Sequence, residues 1–258
     1  MKTRLDDLMP LVIFCHGFKG FKDWGCFPYM LDKIAAEGNF VVSFNFSYNG
    51  VGEEGNELTE FTRLDRFAEN TFTRELEDLE SVIDYLENHR EKFLYDLNKI
   101  ILIGHSRGGG IVILQAAKDK RVKKLITLAS VSTFDRYSDR LKEDWKKKGY
   151  WEVQNSRTGQ MMRMNVSILE DFERNAEALD IEKAAGKINI SWLIIHGTED
   201  ISVDYSSAET LHTLCQNGNS ELKLLENTGH TFGAVHPFQG TTQKLEEAIL
   251  LINEFIKN

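Results

Sequence analysis

Short apolar runs alternate along the chain with longer stretches of helical periodicity. Strands are predicted at Leu11 to Cys15, Phe40 to Phe46, Lys99 to Ile103, Lys124 to Ala129, Ile190 to His196 and Glu221 to Glu226. Most are almost continuously Val, Ile, Leu or Phe, which suits strands covered on both faces, as in a parallel sheet. Amphipathic segments lie between them. The clearest runs from about Thr73 to about Phe93, with Leu76, Leu79, Ile83 and Leu86 on one stripe and Glu75, Glu77, Asp78 and Glu80 on the remaining, wet surface. Weaker helical patterns cover Phe27 to Glu37, Gly109 to Lys118, Tyr205 to Gln216 and Thr242 to Ile256. This alternation predicts an α/β layer structure with right-handed crossovers.

The rhythm breaks once. About sixty residues without a strong strand separate Ala129 from Ile190, and they carry Trp145, Tyr150, Trp151, Met161, Met162 and Met164 among balanced charges. A connection of that length has structure or function of its own. It is expected to be a small, mostly helical insertion, residues 131–189, within a single domain covering 1–258.

Composition narrows the classes. The 258 residues are 41% hydrophobic and 28% charged, an ordinary globular balance that excludes disordered and fibrous readings. Lys+Arg 31 against Asp+Glu 40 gives a net charge of -9, which argues against nucleic acid and anionic membranes as partners. Cys15, Cys26 and Cys215 cannot all pair and none has C-x-x-C spacing, so a reducing, cytoplasmic compartment is expected. The first seven residues have no apolar core of the signal-peptide kind, and no apolar run approaches the roughly 18 residues of a membrane span.

The sharpest chemical signal is Gly104-His105-Ser106-Arg107-Gly108, set between the strand Lys99 to Ile103 and an apolar helix beginning near Gly109. A serine on a tight strand-to-helix turn needs small neighbours, and its hydroxyl then projects above the sheet beside a helix N-terminus. A hydroxyl is a weak nucleophile without a base. His230 fills that role best, because Gly229-His230-Thr231-Phe232-Gly233 follows the last strand and lies at the carboxyl edge of the sheet; His236 stands in reserve. His16 and His196 precede glycines at strand ends and are read as orienting their own turns. An acid must hold the base's other nitrogen. Asp200, in His196-Gly197-Thr198-Glu199-Asp200, is the choice, with Glu199 and Asp204 as alternatives. The glycine-rich His16-Gly17-Phe18-Lys19-Gly20 supplies a second oxyanion donor, so the backbone N–H groups of Phe18 and Arg107 are assigned to the hole.

Taken together, His16-Gly17-Phe18, Gly104-His105-Ser106-Arg107-Gly108-Gly109, His196-Gly197-Thr198-Glu199-Asp200 and Gly229-His230 make the chain resemble the α/β-hydrolase superfamily. Within it, the resemblance is to the branch of dienelactone-hydrolase-like proteins, cinnamoyl or feruloyl esterases and related serine peptidases. It implies Ser106 as nucleophile, Asp200 as orienting acid, His230 as base, and Phe18 with Arg107 as oxyanion donors. It also implies that the insertion is a cap, whose Trp145, Tyr150, Trp151 and Met161 line an acyl or aryl pocket or else form the cap's own core. Two departures stand out. Only ten residues precede the first strand, where the family usually begins with an antiparallel pair. About six parallel strands are therefore expected, with an exposed edge that suits a homodimer as well as a monomer. Dienelactone hydrolases proper use a cysteine nucleophile, so the serine argues against that substrate class.

The expected activity is that of a carboxylesterase-type serine hydrolase. It would cleave a small or aryl carboxylic ester through an acyl-enzyme on Ser106, with no metal and no organic cofactor. A peptidase, amidase or thioesterase would use the same triad, and Glu53, Glu54 and Glu57 are the candidate anchors for a peptide terminus. A binding protein on a hydrolase scaffold is the reading of a different class.

Overall fold

The computed structural model describes residues 8–54, 58–215 and 219–258. In chain order the elements are β1 (Met9–Cys15), α1 (Phe27–Ala36), β2 (Phe40–Ser43), α2 (Leu64–Ala68), α3 (Phe72–Asn88), β3 (Tyr95–His105), α4 (Arg107–Lys118) and β4 (Val122–Leu128). They continue with α5 (Asp139–Lys148), β5 (Tyr150–Gln154), β6 (Met161–Asn165), α6 (Ser167–Arg174), α7 (Ile181–Ala185), β7 (Ser191–Gly197), α8 (Ser206–Leu214), β8 (Ser220–Leu225) and α9 (Gln243–Lys257).

Six strands form one sheet in the order β2-β1-β3-β4-β7-β8, and every neighbouring pair is parallel. Successive side chains on a strand face opposite ways, so a strand apolar throughout must be covered twice. In β1, Leu11, Ile13 and Cys15 enter one core with Leu79 and Ile83 of α3 and Ile111 of α4. Val12 and Phe14 enter the other, with Met30 and Ile34 of α1 and Ile249 and Ile252 of α9. The same division runs through β3, where Ile100 and Leu102 oppose Ile101 and Ile103. β2 and β8 end the sheet. The expectation of a missing N-terminal edge rests on residues 1–10, of which 1–7 lie outside the described residues, as do Glu57 and Gln216.

Two expectations change. The stretch between β4 and β7 is not mostly helical, because β5 and β6 form an antiparallel pair registering Trp151 with Met164 and Val153 with Met162. The alternation is visible in the burial: Met162 and Met164 are buried, while Met161 is 51% exposed. Helix α5 leads into this hairpin, capped at its start by the Ser138 hydroxyl, which accepts from the Leu141 N–H, and ended by Gly149 at φ 80°. Secondly, Glu75 is not on the wet face of α3. It is buried beside Leu79, and its partner comes from another element.

Candidate active site

All the chemistry-bearing loops leave the carboxyl ends of strands. Ser106 follows β3, Phe18 follows β1, Asp200 follows β7 and His230 follows β8. Ser106 sits at φ 57°, ψ -118°, a backbone conformation that L side chains rarely adopt. The turn is held from both sides: the Ser106 N–H donates to the Leu128 carbonyl, and the Ser106 carbonyl accepts from the Gly109 and Val131 N–H groups. Side-chain-free neighbours make this turn possible. A Cβ on Gly104 would strike the Gly108 carbonyl and the Val112 side chain, and one on Gly108 would strike the Cys15 and His16 carbonyl oxygens.

His230 and Asp200 meet directly, with Nδ1 to Oδ2 at 2.6 Å. The Asp200 side chain is wholly buried, whereas His230 keeps 20% of its surface exposed. Oδ1 of Asp200 accepts the N–H groups of Ser202 at 2.8 Å and Val203 at 2.9 Å. Oδ2 also lies 3.2 Å from Nε2 of His196, which is itself 2.9 Å from the Val203 carbonyl. Burial works against ionisation of this carboxyl, but the contacts with His196 and His230 and the backbone donors outweigh it. They hold the group well below the usual carboxylate range. An ionised Asp200 accepts the Nδ1 proton of His230 and leaves Nε2 as the basic nitrogen.

The remaining histidines serve the scaffold. Nε2 of His16 accepts from the Phe46 N–H, so Nδ1 carries the proton and donates to the Gly17 carbonyl at 2.9 Å; burial lowers its pKa to about 4. His105 is neutral for the same reason, lowered to about 3, and its Nε2–H donates to the backbone carbonyl of His230 at 3.0 Å. His236, the reserve base, uses Nδ1 to accept the Gly25 N–H at 2.8 Å and stacks on Trp24. Asp200 pairs with His230. Glu199 and Asp204 are not in that contact; Asp204 accepts the Ser206 N–H instead.

Ser106 opens onto two cavities. One, of about 490 Å³, is lined by Ser106, His230, Phe18, Trp24, Lys19 and Arg157, among others. The second, of about 330 Å³, is lined by Ser106, Phe18 and Arg107 together with Phe72, Phe134, Tyr137 and Trp151. Phe18 and Arg107 line this second cavity together with the serine. The Arg107 side chain is buried between Phe18 and Phe72, its guanidinium carbon 4.1 and 4.9 Å from the two ring centroids, and pairs with Glu75 at 3.3 Å. Of the four side chains assigned to the substrate pocket, Trp151 lines the second cavity. Trp145 is 1% exposed, donates its indole N–H to the Met164 carbonyl, and packs against Tyr137 and Trp151 as part of the insertion's own core. Tyr150 faces the Arg163 guanidinium and Met161 is largely in solvent. Among the described residues no group of three or more His, Cys, Asp or Glu could hold a metal ion, and no helix is long and apolar enough to cross a membrane.

A family model described as the alpha/beta hydrolase fold matches residues 10–152, more than half of the chain. The chain belongs to the α/β-hydrolase family. The solved structures similar to this α/β-hydrolase agree on the architecture. Est1E from Butyrivibrio proteoclasticus with ferulic acid bound shares 20% identity at a TM-score of 0.71, over 97% of this chain and 89% of that one. A monoacylglycerol lipase from Paleococcus ferrophilus shares 16% at 0.67, over 96% and 95%. Mouse alpha/beta hydrolase domain-containing protein 10 shares 17% at 0.70, over 96% and 90%. At such identities the likeness concerns the fold. An uncharacterized 31.7 kDa Escherichia coli protein from the traX-finO intergenic region is 32% identical over 120 residues, 46% of this chain. The match spans about a third of that relative's length, 36%.

Sequence reasoning missed three features of the site. Glu75 was hidden by its position in a charge-rich helix, although its fourfold spacing from Leu79 and Ile83 places it on the apolar stripe. His105 contacts the backbone of His230, which spacing does not reveal. Lys19 and Arg157 converge on one cavity from segments far apart in the chain.

Proposed function

We propose that the protein is a serine hydrolase that cleaves a small or aryl carboxylic ester through an acyl-enzyme on Ser106. The observation that carries this reading is the 2.6 Å contact of His230 with a buried, ionised Asp200, with the His230 ring and the strained Ser106 turn lining the same cavity. Ser106 Oγ attacks the ester carbonyl while Nε2 of His230 takes its proton, and the Phe18 and Arg107 N–H groups receive the oxyanion. His230 then protonates the leaving alcohol as the acyl C–O bond breaks. Water, deprotonated by His230, attacks the acyl-enzyme, and the proton returns to Ser106 as the acid departs. The stretch between β4 and β7 acts as the cap, with Trp151 toward the substrate and Trp145 fixing it from behind. The three cysteines are free and buried, which fits the cytoplasmic placement proposed with this activity.

Of the candidate anchors for a peptide terminus, Glu53 is already paired with Arg63 and Arg66, Glu54 is exposed, and Glu57 lies outside the described residues. The deciding experiment is hydrolysis of p-nitrophenyl acetate and butyrate by wild type and Ser106→Ala, with a fluorophosphonate label alongside. The expected result is turnover and labelling in wild type, and a loss of about 10⁶-fold in kcat in the alanine variant. Labelling without ester turnover would move the activity to amides or thioesters. Absence of both would leave a binding protein on a hydrolase scaffold.

A further inference from the structure

The two cavities beside Ser106 differ in chemistry, and the difference has a direction. The 330 Å³ cavity is walled mainly by Phe72, Phe134, Tyr137 and Trp151 and does not include His230; of its two arginines, Arg107 is paired with Glu75 and Arg136 donates to the Ser202 carbonyl. The 490 Å³ cavity includes His230, and it also holds Lys19 and Arg157 with no carboxylate among its described lining residues. In a chain of net charge -9, two cations facing one acid-free cavity are a local reversal of the overall field.

Among the described residues no acidic side chain neutralises either cation. The Lys19 ammonium donates to the Gln154 carbonyl at 3.1 Å, a neutral acceptor that leaves its charge uncompensated, and lies 5.6 Å from the Phe18 ring centroid. Arg157 lies in the connection from β5 to β6, where the side chain of the buried Asn155 accepts the Arg157 N–H at 3.1 Å and fixes the turn. Its charge reaches the cavity wall: together with burial, it disfavours protonation of His236. Among the described residues, neither cation forms an ion pair with an acidic side chain.

The direction comes from the proton. The base must hand its proton to the leaving oxygen, so the alcohol portion lies on the His230 side of the carbonyl and the acyl portion on the other. Resting on the hydrolase reading above, we propose that the preferred substrate is an ester of a hydroxycarboxylic acid. Its aryl or apolar acyl group occupies the aromatic cavity, and its alcohol-side carboxylate is bound by Lys19 and Arg157. Hydrolysis breaks the acyl C–O bond, adds the elements of water, and releases the acyl acid and the hydroxycarboxylate.

The test uses a matched pair: the butyrate ester of 4-hydroxybenzoate, and the same ester with the carboxylate masked as its methyl ester. The masked compound has the better leaving group, so reactivity alone favours it. Wild type is expected to prefer the free carboxylate by about tenfold in kcat/KM, the size of one charge-assisted hydrogen bond, mainly through KM and less so as salt is raised. Arg157→Gln, at an exposed turn position, and Lys19→Gln are each expected to reduce that ratio severalfold, and together to abolish it. Equal turnover of the two esters by wild type would overturn the inference and leave the hydrolase reading standing. So would a preference that survives in the double variant. Turnover of neither ester, with p-nitrophenyl butyrate still cleaved, would overturn this inference alone; with p-nitrophenyl butyrate untouched as well, the ester-hydrolase reading would fall with it.

Discussion

Asp200 and Glu75 are both buried carboxyls, with side-chain exposures of 0% and 5%, yet their acidities move in opposite directions. Asp200 sits in a loop where two backbone N–H groups and two imidazoles converge on its oxygens, and it is held ionised below the usual range. Glu75 sits near the start of α3, where the backbone N–H groups go to other acceptors: Thr73 to the Asp171 carboxylate, Arg74 to the Thr71 hydroxyl and Glu75 itself to the Thr71 carbonyl. One of its oxygens accepts from Asn70 at 2.6 Å and Arg107 at 3.3 Å, and the other has no hydrogen-bond partner among the described residues. Burial then prevails over the Arg107 charge, and the pKa rises. Burial alone therefore does not set the ionisation of an acid here; the donors that face it decide, at Asp200 the His196 and His230 side chains first and the loop backbone after them. The loop carboxylate is fit to stabilise a charge that comes and goes, while the helical one braces the side chain of Arg107.

The widest separation between the two is expected in rate. Asp200→Asn keeps an oxygen for the Ser202 and Val203 N–H groups but loses the charge facing His230. Steady-state ester hydrolysis is expected to drop by about 10³–10⁴-fold. A loss under tenfold would move the acid's role to Glu199 or Asp204. Glu75→Ala should show the converse pattern. Removing one member of a buried pair leaves Arg107 unpaired, at a cost of about 3–5 kcal/mol in urea unfolding, while activity changes by less than about tenfold. A rate loss comparable to that of Asp200→Asn would break the contrast by placing Glu75 in the oxyanion machinery.

The buried histidines sharpen the same comparison through pH. Burial lowers the pKa of His16 in the folded chain to about 4, against 6.5 for a free histidine, so the unfolded chain binds a proton in that interval that the folded chain refuses. Its contribution to stability is complete above pH 6.5 and is lost as pH falls toward 4, roughly 3 kcal/mol in all. His105 acts in the same sense and extends the loss toward pH 3. Urea midpoints between pH 7 and 4 should fall accordingly, and His16→Asn should flatten the upper part of that decline. A flat profile in wild type would mean that the interior accepts these charges as readily as Asp200 carries its own.

How much of this was legible in the chain follows from the same physics. Most of the six strands could be read because they are apolar on both faces, and the parallel arrangement follows from what such strands need; β8, with Glu221 and Lys223, carries that signal least. Ser106 could be read because a strained turn needs glycines at fixed offsets, and those offsets are local. The antiparallel pair was not legible: Met161 and Met162 are adjacent and equally apolar, yet one faces solvent and one the core. Trp145 looked like a pocket residue by composition and is a core residue by position. The convergence of Lys19 and Arg157 lies 138 residues apart in the numbering and exists only once β5 and β6 have folded back over the loop after β1.

The shared Oδ2 of Asp200 bears on how proton traffic would run. On the proposed mechanism the imidazole of His230 gains and loses a positive charge twice in each turnover. Water answers such a change by reorienting, and that reorientation carries a free-energy cost. Here the answering dipoles are fixed in advance: the Ser202 and Val203 N–H groups point at Oδ1, and the buried His196, anchored at the Val203 carbonyl, sits at Oδ2. The loop from Gly197 to Val203 works as a permanently polarised medium, so the charge can appear on His230 with almost no reorganisation around the acid.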